Sequence, residues 1–239
     1  GNLEKIKSGP IYFNIYEEGK TFNDSSVIRN GQFKFKGFVS TPFFASLTLP
    51  QRHSDYFTFY VEPGTMEISG RGDSLKLLNV KGSAVNADNK LLKERMKTIT
   101  QWEDNDNKLY EQAYKEKNTR VLDSLDQVDN DILAAKREVV KAFVKEYPKS
   151  IRAAMAIIEN YGYYAEASDV EPLYNELDRA IQNSPKGNEI KKMIETYAKV
   201  AIGKPEPDIT QFTPDSSVLS LSSFKGKYVL IDFWASWCG

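Results

Sequence analysis

The chain has 239 residues, 41% of them hydrophobic, so it is long enough to bury more than one hydrophobic core. Its 32 basic and 33 acidic side chains leave a net charge of −1. A chain that is nearly neutral has no overall positive electrostatic potential that would attract nucleic acid or anionic lipid. No apolar run reaches the roughly 18 to 20 residues that span a bilayer. The single cysteine allows no internal disulfide. The composition is that of an ordinary soluble protein with several domains.

Residues 1–82 alternate apolar and polar side chains with the period of half-buried β-strands. In "IYFNIYEE", Ile11, Phe13 and Ile15 share one face, and "GQFKFKGFV" alternates in the same way. Turn signals separate these runs, and Asn30-Gly31 is the strongest of them. With "FFASLTL", "YFTFYVEPG", "TMEISGRGD" and "LKLLNVKG", the pattern predicts about six to eight short strands in an antiparallel β sandwich or barrel.

Residues 83–202 have the period of amphipathic helices. Leu92, Met96 and Ile99 share one face of a first helix. Between Leu125 and Ala142, apolar residues recur in steps of three and four over about three heptads, which predicts a long second helix. We expect the two helices to form an antiparallel hairpin, and the alternative is a homodimer that pairs through the long helix.

Shorter helices should follow the hairpin. Ser150 is a predicted helix cap, Ser168 and Glu171 have the spacing of a capping box, and Ser184-Pro185 is a predicted helix start.

Residues 203–239 begin with a linker and then change in character. The two prolines of "GKPEPD" predict a domain boundary. After a short strand in "VLSLS", the run from Tyr228 to Phe233 is strongly apolar and rich in β-formers. It predicts a strand that is buried on both faces. Trp234, Trp237 and Cys238 follow this run directly.

The segments "GKPEPDI" and "LSLSSFKGKYVLIDFWASWCG" resemble the opening of a thioredoxin-like domain of the TlpA/ResA type. Members of that family carry the motif Trp-Cys-x-x-Cys at the end of such a strand. The resemblance covers only the last part of the chain, and the second cysteine of the motif would stand beyond Gly239. We therefore expect the chain to stop inside a larger enzyme and to be inactive as an oxidoreductase as written.

The resemblance implies a role for three residues. Cys238 would be the nucleophile, because a thiolate at a helix N-terminus is favoured by the unpaired N–H groups and the helix dipole. Asp232 would assist proton transfer to the resolving thiol, and its alternative is a polar group that binds backbone or water. Trp237 would flank the site. No cofactor and no metal are implied.

The β-rich and helical regions resemble the uncharacterised N-terminal region that precedes thioredoxin-like domains in many bacterial envelope lipoproteins. The residues that carry this resemblance are "NGQFKFKG", "YFTFYVEPG", "MEISG" and "LNVKGSAVNADNKLL". This resemblance implies a periplasmic location and a lipid anchor upstream of Gly1. The implied partners are protein thiols, protein disulfides and an upstream redox protein.

Other candidate sites are weak. His53 is the single histidine, so a histidine metal cluster and a Ser-His-Asp triad are not expected. The acidic runs "EDNDN" and "LDQVDNDI" lack the glycine and the closing glutamate of an EF-hand loop. Arg71-Gly72-Asp73 is interpreted as a tight turn. Tyr161, Tyr163 and Tyr164 are expected in the core and its rim, with a recognition groove as the alternative.

The sequence thus predicts a multi-domain α+β chain. Its parts are an antiparallel β domain at 1–82, a helical region at 83–202, and the linker and first strands of an incomplete thioredoxin-like domain at 203–239. The predicted function is that of the accessory part of a thiol-disulfide oxidoreductase that acts on envelope proteins. Two alternatives stay open, a stand-alone binding or dimerisation module and a peroxiredoxin-like peroxidase.

Overall fold

The computed structural model describes residues 1–17, 20–50, 52, 54–162 and 165–235. Within these residues, N-terminal β-strands are followed by six α-helices and a C-terminal β-hairpin. The predicted α+β class is therefore confirmed.

The N-terminal strands form two sheets. The strands are β1 (Asn2–Leu3), β2 (Ser8–Glu17), β3 (Lys20–Arg29), β4 (Phe43–Thr48), β5 (Tyr56–Val61), β6 (Glu67–Gly70) and β7 (Asn79–Lys81). Their order is β3-β2-β4-β5 in one sheet and β1-β6-β7 in the other. The pairs are antiparallel except that β1 runs parallel to β6. The described strands do not close into a barrel, so the barrel alternative is wrong.

One hydrophobic core joins the two sheets. It contains Leu3 from β1, Ile11 from β2, Leu47 from β4 and Ile68 from β6. The predicted inward face of β2 is confirmed for Ile11, which is fully buried, and for Phe13, which packs against the same core. Burial of apolar area stabilises the contact between the sheets. Isolated bridges from Gln32 to Asn2 and to Arg29 also connect the edges of the two sheets.

Two predicted strands differ in the structure. Asn30-Gly31 does form a two-residue turn with positive φ at both positions, but residues 33–39 are irregular. Phe33 exchanges backbone hydrogen bonds with Gly1, and its ring packs near the ring of Phe35. The alternation of apolar and polar residues in this segment therefore reflects the burial of its aromatic side chains and not pairing as a strand. In "LKLLNVKG", Leu75–Leu77 forms a short 3₁₀-helix before β7.

The six helices are α1 (Ala84–Lys115), α2 (Thr119–Glu146), α3 (Ile151–Tyr161), α4 (Ala167–Glu176), α5 (Arg179–Gln182) and α6 (Pro185–Lys199). Helices α1 and α2 form the predicted antiparallel hairpin. Two ion pairs connect them, Arg95 to Glu146 at 2.7 Å and Lys136 to Glu103 at 2.6 Å.

The helical hairpin has a packed base and a thinner outer part. At the base, Leu92, Val140 and Phe143 share a core with residues of α3, α4 and α6. In the outer part, residues 100–135, the buried Ala113, Leu125 and Ile132 belong to none of the hydrophobic clusters. In this part of the hairpin, α1 and α2 pack against each other.

The predicted caps of α3 and α6 are confirmed, and that of α4 is wrong by two residues. Ser150 and Ser184 accept hydrogen bonds from the first backbone N–H groups of their helices. In α4 the cap is Glu166, whose N–H donates to Asp169 at 2.9 Å. The Ser168 spacing matched the same motif, but Ser168 lies within the first turn.

The C-terminal part contains one hairpin of β8 (Thr210–Phe212) and β9 (Val218–Ser220), followed by a 3₁₀-helix at Leu221–Phe224. Residues 228–235 have no regular secondary structure. The predicted buried strand at Tyr228–Phe233 is therefore wrong for the described chain. A central strand needs ladder partners on both sides, and no described residue pairs with this segment.

The β and helical regions are joined at the edge of β5. The Asn86 side chain accepts a hydrogen bond from the Tyr60 N–H at 2.9 Å and donates to the Tyr60 carbonyl at 2.6 Å. Ser83, the cap of α1, accepts from both the backbone and the side chain of Asn86. The first turn of α1 thus occupies the place of a further strand beside β5.

We predict that Asn86→Ala destabilises the protein by about 2–4 kcal/mol, because it leaves two buried backbone groups of Tyr60 without partners. Urea unfolding measures this loss. Asn107→Ala is the matched control, since Asn107 lies exposed on the same helix and its loss should stay within about 0.5 kcal/mol. Equal stability of the two variants would contradict a structural role for the Asn86 contact.

Candidate functional site

The residues expected to carry redox chemistry are only partly described. Cys238 and Trp237 lie outside the described residues, as do His53, Tyr163 and Tyr164. Asp232 lies in the irregular segment 228–235, and its side chain is exposed. The described structure therefore does not bring Asp232 together with a second functional group. Tyr161 is buried in the helical core, in agreement with its expected packing role.

The segment 228–235 is unusual because its apolar side chains face solvent. Leu230 is 95% exposed and Phe233 is 82% exposed, and Trp234 is also largely exposed. Full burial of a side chain of this kind is worth roughly 1.5–3 kcal/mol. A run of such side chains therefore favours contact with further polypeptide over exposure to water.

A second candidate lies in a groove where α1 passes the β region. Its walls come from β5, from residues 76–80 and from α1 between Asn86 and Glu103, with α3 at one end. The volume of the groove is about 1190 Å³. That exceeds the roughly 300–1,000 Å³ of ordinary small-molecule pockets. The groove begins beside the contact between the first turn of α1 and β5.

Arg152 closes one end of the groove from helix α3. The residue is only 7% exposed, although most of α3 is apolar. Its Nε donates to Asn89 Oδ1 at 3.0 Å, and its Nη2 donates to Glu159 Oε2 at 2.7 Å. Glu159 also accepts a hydrogen bond from the Tyr60 hydroxyl at 3.3 Å. Arg152, Asn89 and Glu159 all line the groove.

The environment of Tyr60 shows how closely this cluster is packed. Burial and the nearby Glu159 carboxylate raise the pKa of Tyr60 to about 12, so its hydroxyl stays a hydrogen-bond donor at neutral pH. The Arg152 guanidinium carbon lies 5.6 Å from the centre of the Tyr60 ring. The cluster therefore links β5, α1 and α3 through one cation.

Arg152 nevertheless keeps unused hydrogen-bonding capacity. A guanidinium has five N–H donors, and its Nη1 atom is buried here without a hydrogen-bond partner among the described residues. An unsatisfied buried donor costs about 1–3 kcal/mol, and more when the group is charged. The described residues do not provide the additional acceptor that would satisfy this donor.

Further cations lie along the groove. Lys136 and Lys97 pair with Glu103 and Glu94. Three more lysines of the groove have no carboxylate within ion-pair distance in the described part of the chain; they are Lys76, Lys90 and Lys93. The groove therefore has a positive balance, although the chain as a whole is nearly neutral.

Sequence reasoning missed this groove. One signal was present, because Arg152 is a single cation in the otherwise apolar run "IRAAMAI", with Glu159 two helical turns further on. The partners Asn89 and Tyr60 come from distant parts of the sequence, so the cluster required the tertiary structure.

A pair of carboxyl groups lies in the outer part of the helical hairpin. Asp106 on α1 is buried and faces Asp129 on α2. Burial, and then the like charge of Asp129, raises the pKa of Asp106. In the described residues, no three His, Cys, Asp or Glu side chains come together as a metal site. The pair is therefore two neighbouring carboxyl groups and not a metal-ligand set.

Comparison with known proteins gives one result for the N-terminal part. Residues 1–89 match the family described as Domain of unknown function (DUF4369). The match covers the β region and the first turns of α1, including Asn86 and Asn89. No thioredoxin-like family was found. No curated protein and no solved structure matches the chain. In the described residues, no helix is both long and apolar enough to cross a bilayer.

We predict that Asp106→Asn stabilises the protein at pH 7 by roughly 0.5 kcal/mol, the size of a like-charge contact between helix neighbours. The raised pKa favours the protonated carboxyl in the folded state, so its contribution is full below about pH 3.9 and is lost as the pH rises through the folded value. The gain should therefore shrink between pH 7 and pH 4, as measured by urea midpoints.

Asp104→Asn is the control for this substitution, because Asp104 is exposed on the same helix and carries the same charge. It should change the midpoint little at either pH. A loss of stability in Asp106→Asn at pH 7 would show that the charged carboxylate makes favourable contacts instead.

Proposed function

We propose that this chain is the N-terminal accessory part of a thiol-disulfide oxidoreductase of the bacterial envelope, in which Cys238 is the attacking nucleophile. The observation that carries the proposal is the exposed apolar segment 228–235, which leads directly into Trp237 and Cys238. This sequence is similar to the strand end that precedes the redox motif of thioredoxin-like proteins.

The exposure of that segment supports the proposal on physical grounds. In a thioredoxin-like sheet, Val229, Leu230 and Ile231 would be covered from both faces and paired on both edges. The described residues supply neither neighbouring strands nor covering helices for them. Additional polypeptide that completes the sheet would bury these side chains and would place Cys238 at the start of a helix.

The chemistry follows from two thiols. The Cys238 thiolate attacks one sulfur of a substrate disulfide, forms a mixed disulfide and releases the other sulfur as a thiolate. In the motif that this segment resembles, a second cysteine three residues later would attack the Cys238 sulfur, release the reduced substrate and leave the enzyme disulfide. Asp232 would serve the deprotonation of that second thiol, and Trp237 would border the site. An upstream dithiol partner then reduces the enzyme again.

The N-terminal match agrees with this placement. The family that matches residues 1–89 is often found N-terminal to thioredoxin-like domains. We further propose a periplasmic location and a lipid anchor ahead of Gly1, since an oxidising envelope compartment is where an exchanger of protein disulfides has substrates.

The test is dithiothreitol-driven reduction of insulin by the natural polypeptide, including whatever follows Gly239 in its gene. We expect turnover well above the rate with dithiothreitol alone, and we expect Cys238→Ser to return the rate to that baseline, because the attacking sulfur is lost. Replacement of the second cysteine should instead trap a mixed disulfide with substrate.

Two controls define the result. Trp102→Phe lies on α1, far in sequence from the motif, and should leave turnover unchanged. Peroxide consumption is measured in parallel, since a peroxidase would consume peroxide without reducing insulin. Wild-type turnover equal to the dithiothreitol baseline would overturn the proposal.

A further inference from the structure

We propose that the groove between β5 and α1 binds an extended acidic peptide segment of a partner protein, with Arg152 as the buried anchor for one carboxylate. The proposal rests on the groove itself and does not depend on redox chemistry at Cys238. Nothing in the matched family assigns a ligand to this region.

The anchor is the first observation. Arg152 has two of its guanidinium nitrogens engaged by Asn89 and Glu159, and its Nη1 has no acceptor among the described residues. These two contacts fix the plane of the guanidinium. The Nη1 atom has almost no accessible surface, so a ligand carboxylate reaches it only after the adjoining side chains shift. The hydrogen bond that then forms joins two charged partners and is short and strong.

The charge along the groove is the second observation. Lys90 and Lys93 lie on consecutive turns of α1, and Lys76 lies on the opposite wall, all exposed and free of ion pairs in the described residues. Their spacing along the helix suits a ligand with several acidic groups. A single small anion would engage only the Arg152 end.

The size and the walls of the groove are the third observation. Lining residues of α1 run from Asn86 to Glu103, which corresponds to about 25 Å at the rise of an α-helix. Apolar side chains lie between the charges, and they include Leu78, Val80 and Met96. An extended peptide that alternates acidic and apolar residues would place carboxylates on the lysines and apolar side chains on this floor.

The test uses residues 1–239 and fluorescence anisotropy of a labelled eight-residue peptide of alternating Glu and Leu. The same peptide with Gln for Glu is the matched probe, and acetate and inorganic phosphate are tried as competitors. We expect saturable binding of the Glu peptide that weakens with salt, and at least about tenfold weaker binding of the Gln peptide.

The variant is Lys90→Glu with Lys93→Glu, which should weaken binding of the Glu peptide by at least about tenfold. Both side chains are exposed, so the fold should be retained, as checked by circular dichroism. The control is Lys191→Glu with Lys192→Glu, which makes the same change of charge on exposed positions of α6 and should leave affinity unchanged.

A direct readout of the anchor is the side-chain NMR signal of the Arg152 guanidinium, which should shift with the Glu peptide and not with the Gln peptide. Several results would overturn the proposal. They are absence of saturable binding, equal affinity for both peptides, equal loss in both double variants, and an Arg152 signal that acetate shifts as much as the peptide does. The last result would indicate a small-anion site instead.

Discussion

Asn86 hydrogen-bonds both free backbone groups of Tyr60, and the relative placement of the β and helical regions depends on this contact. An edge strand exposes unpaired N–H and C=O groups, and a protein must cover or disfavour that edge. Here the first turn of a helix provides the cover. Since Ser83 holds the Asn86 side chain in place, the start of α1 is fixed in position as well as in direction.

The position of α1 sets the rest of the helical region. Asp88 accepts a hydrogen bond from Ser150, and Asn89 accepts one from Arg152, so α3 is oriented by residues that lie one turn beyond Asn86. Leu92 then enters the core that α2, α3, α4 and α6 build. The family match ends at residue 89, within these contacts, so the matched region includes the groups that receive α3.

Short-range sequence patterns correctly predicted the helical hairpin and two of the helix starts. Leu92, Met96 and the spacing from Leu125 to Ala142 gave the helical hairpin, and Ser150 and Ser184 gave two helix starts. Strand β3 was missed, because "NDSS" at its centre has low β-propensity and an edge strand tolerates such residues. The Arg152 cluster joins α3, α1 and β5, so no single window of sequence contains it. Tyr228–Phe233 shows the reverse case, in which a strong strand pattern lacks the neighbours that make a strand.

The unequal packing of the helical hairpin has a dynamic consequence. Because residues 100–135 contribute no side chain to the hydrophobic clusters, separation of the two helices there would expose less apolar surface than separation at the base. It would also relieve the like-charge contact between Asp106 and Asp129. That part would open as a small cooperative unit at a low free-energy cost, and the base of the hairpin and the β region would stay folded. Hydrogen exchange should therefore run faster at the tip of the hairpin than at its base, and a protease would first cut near the turn at Lys117.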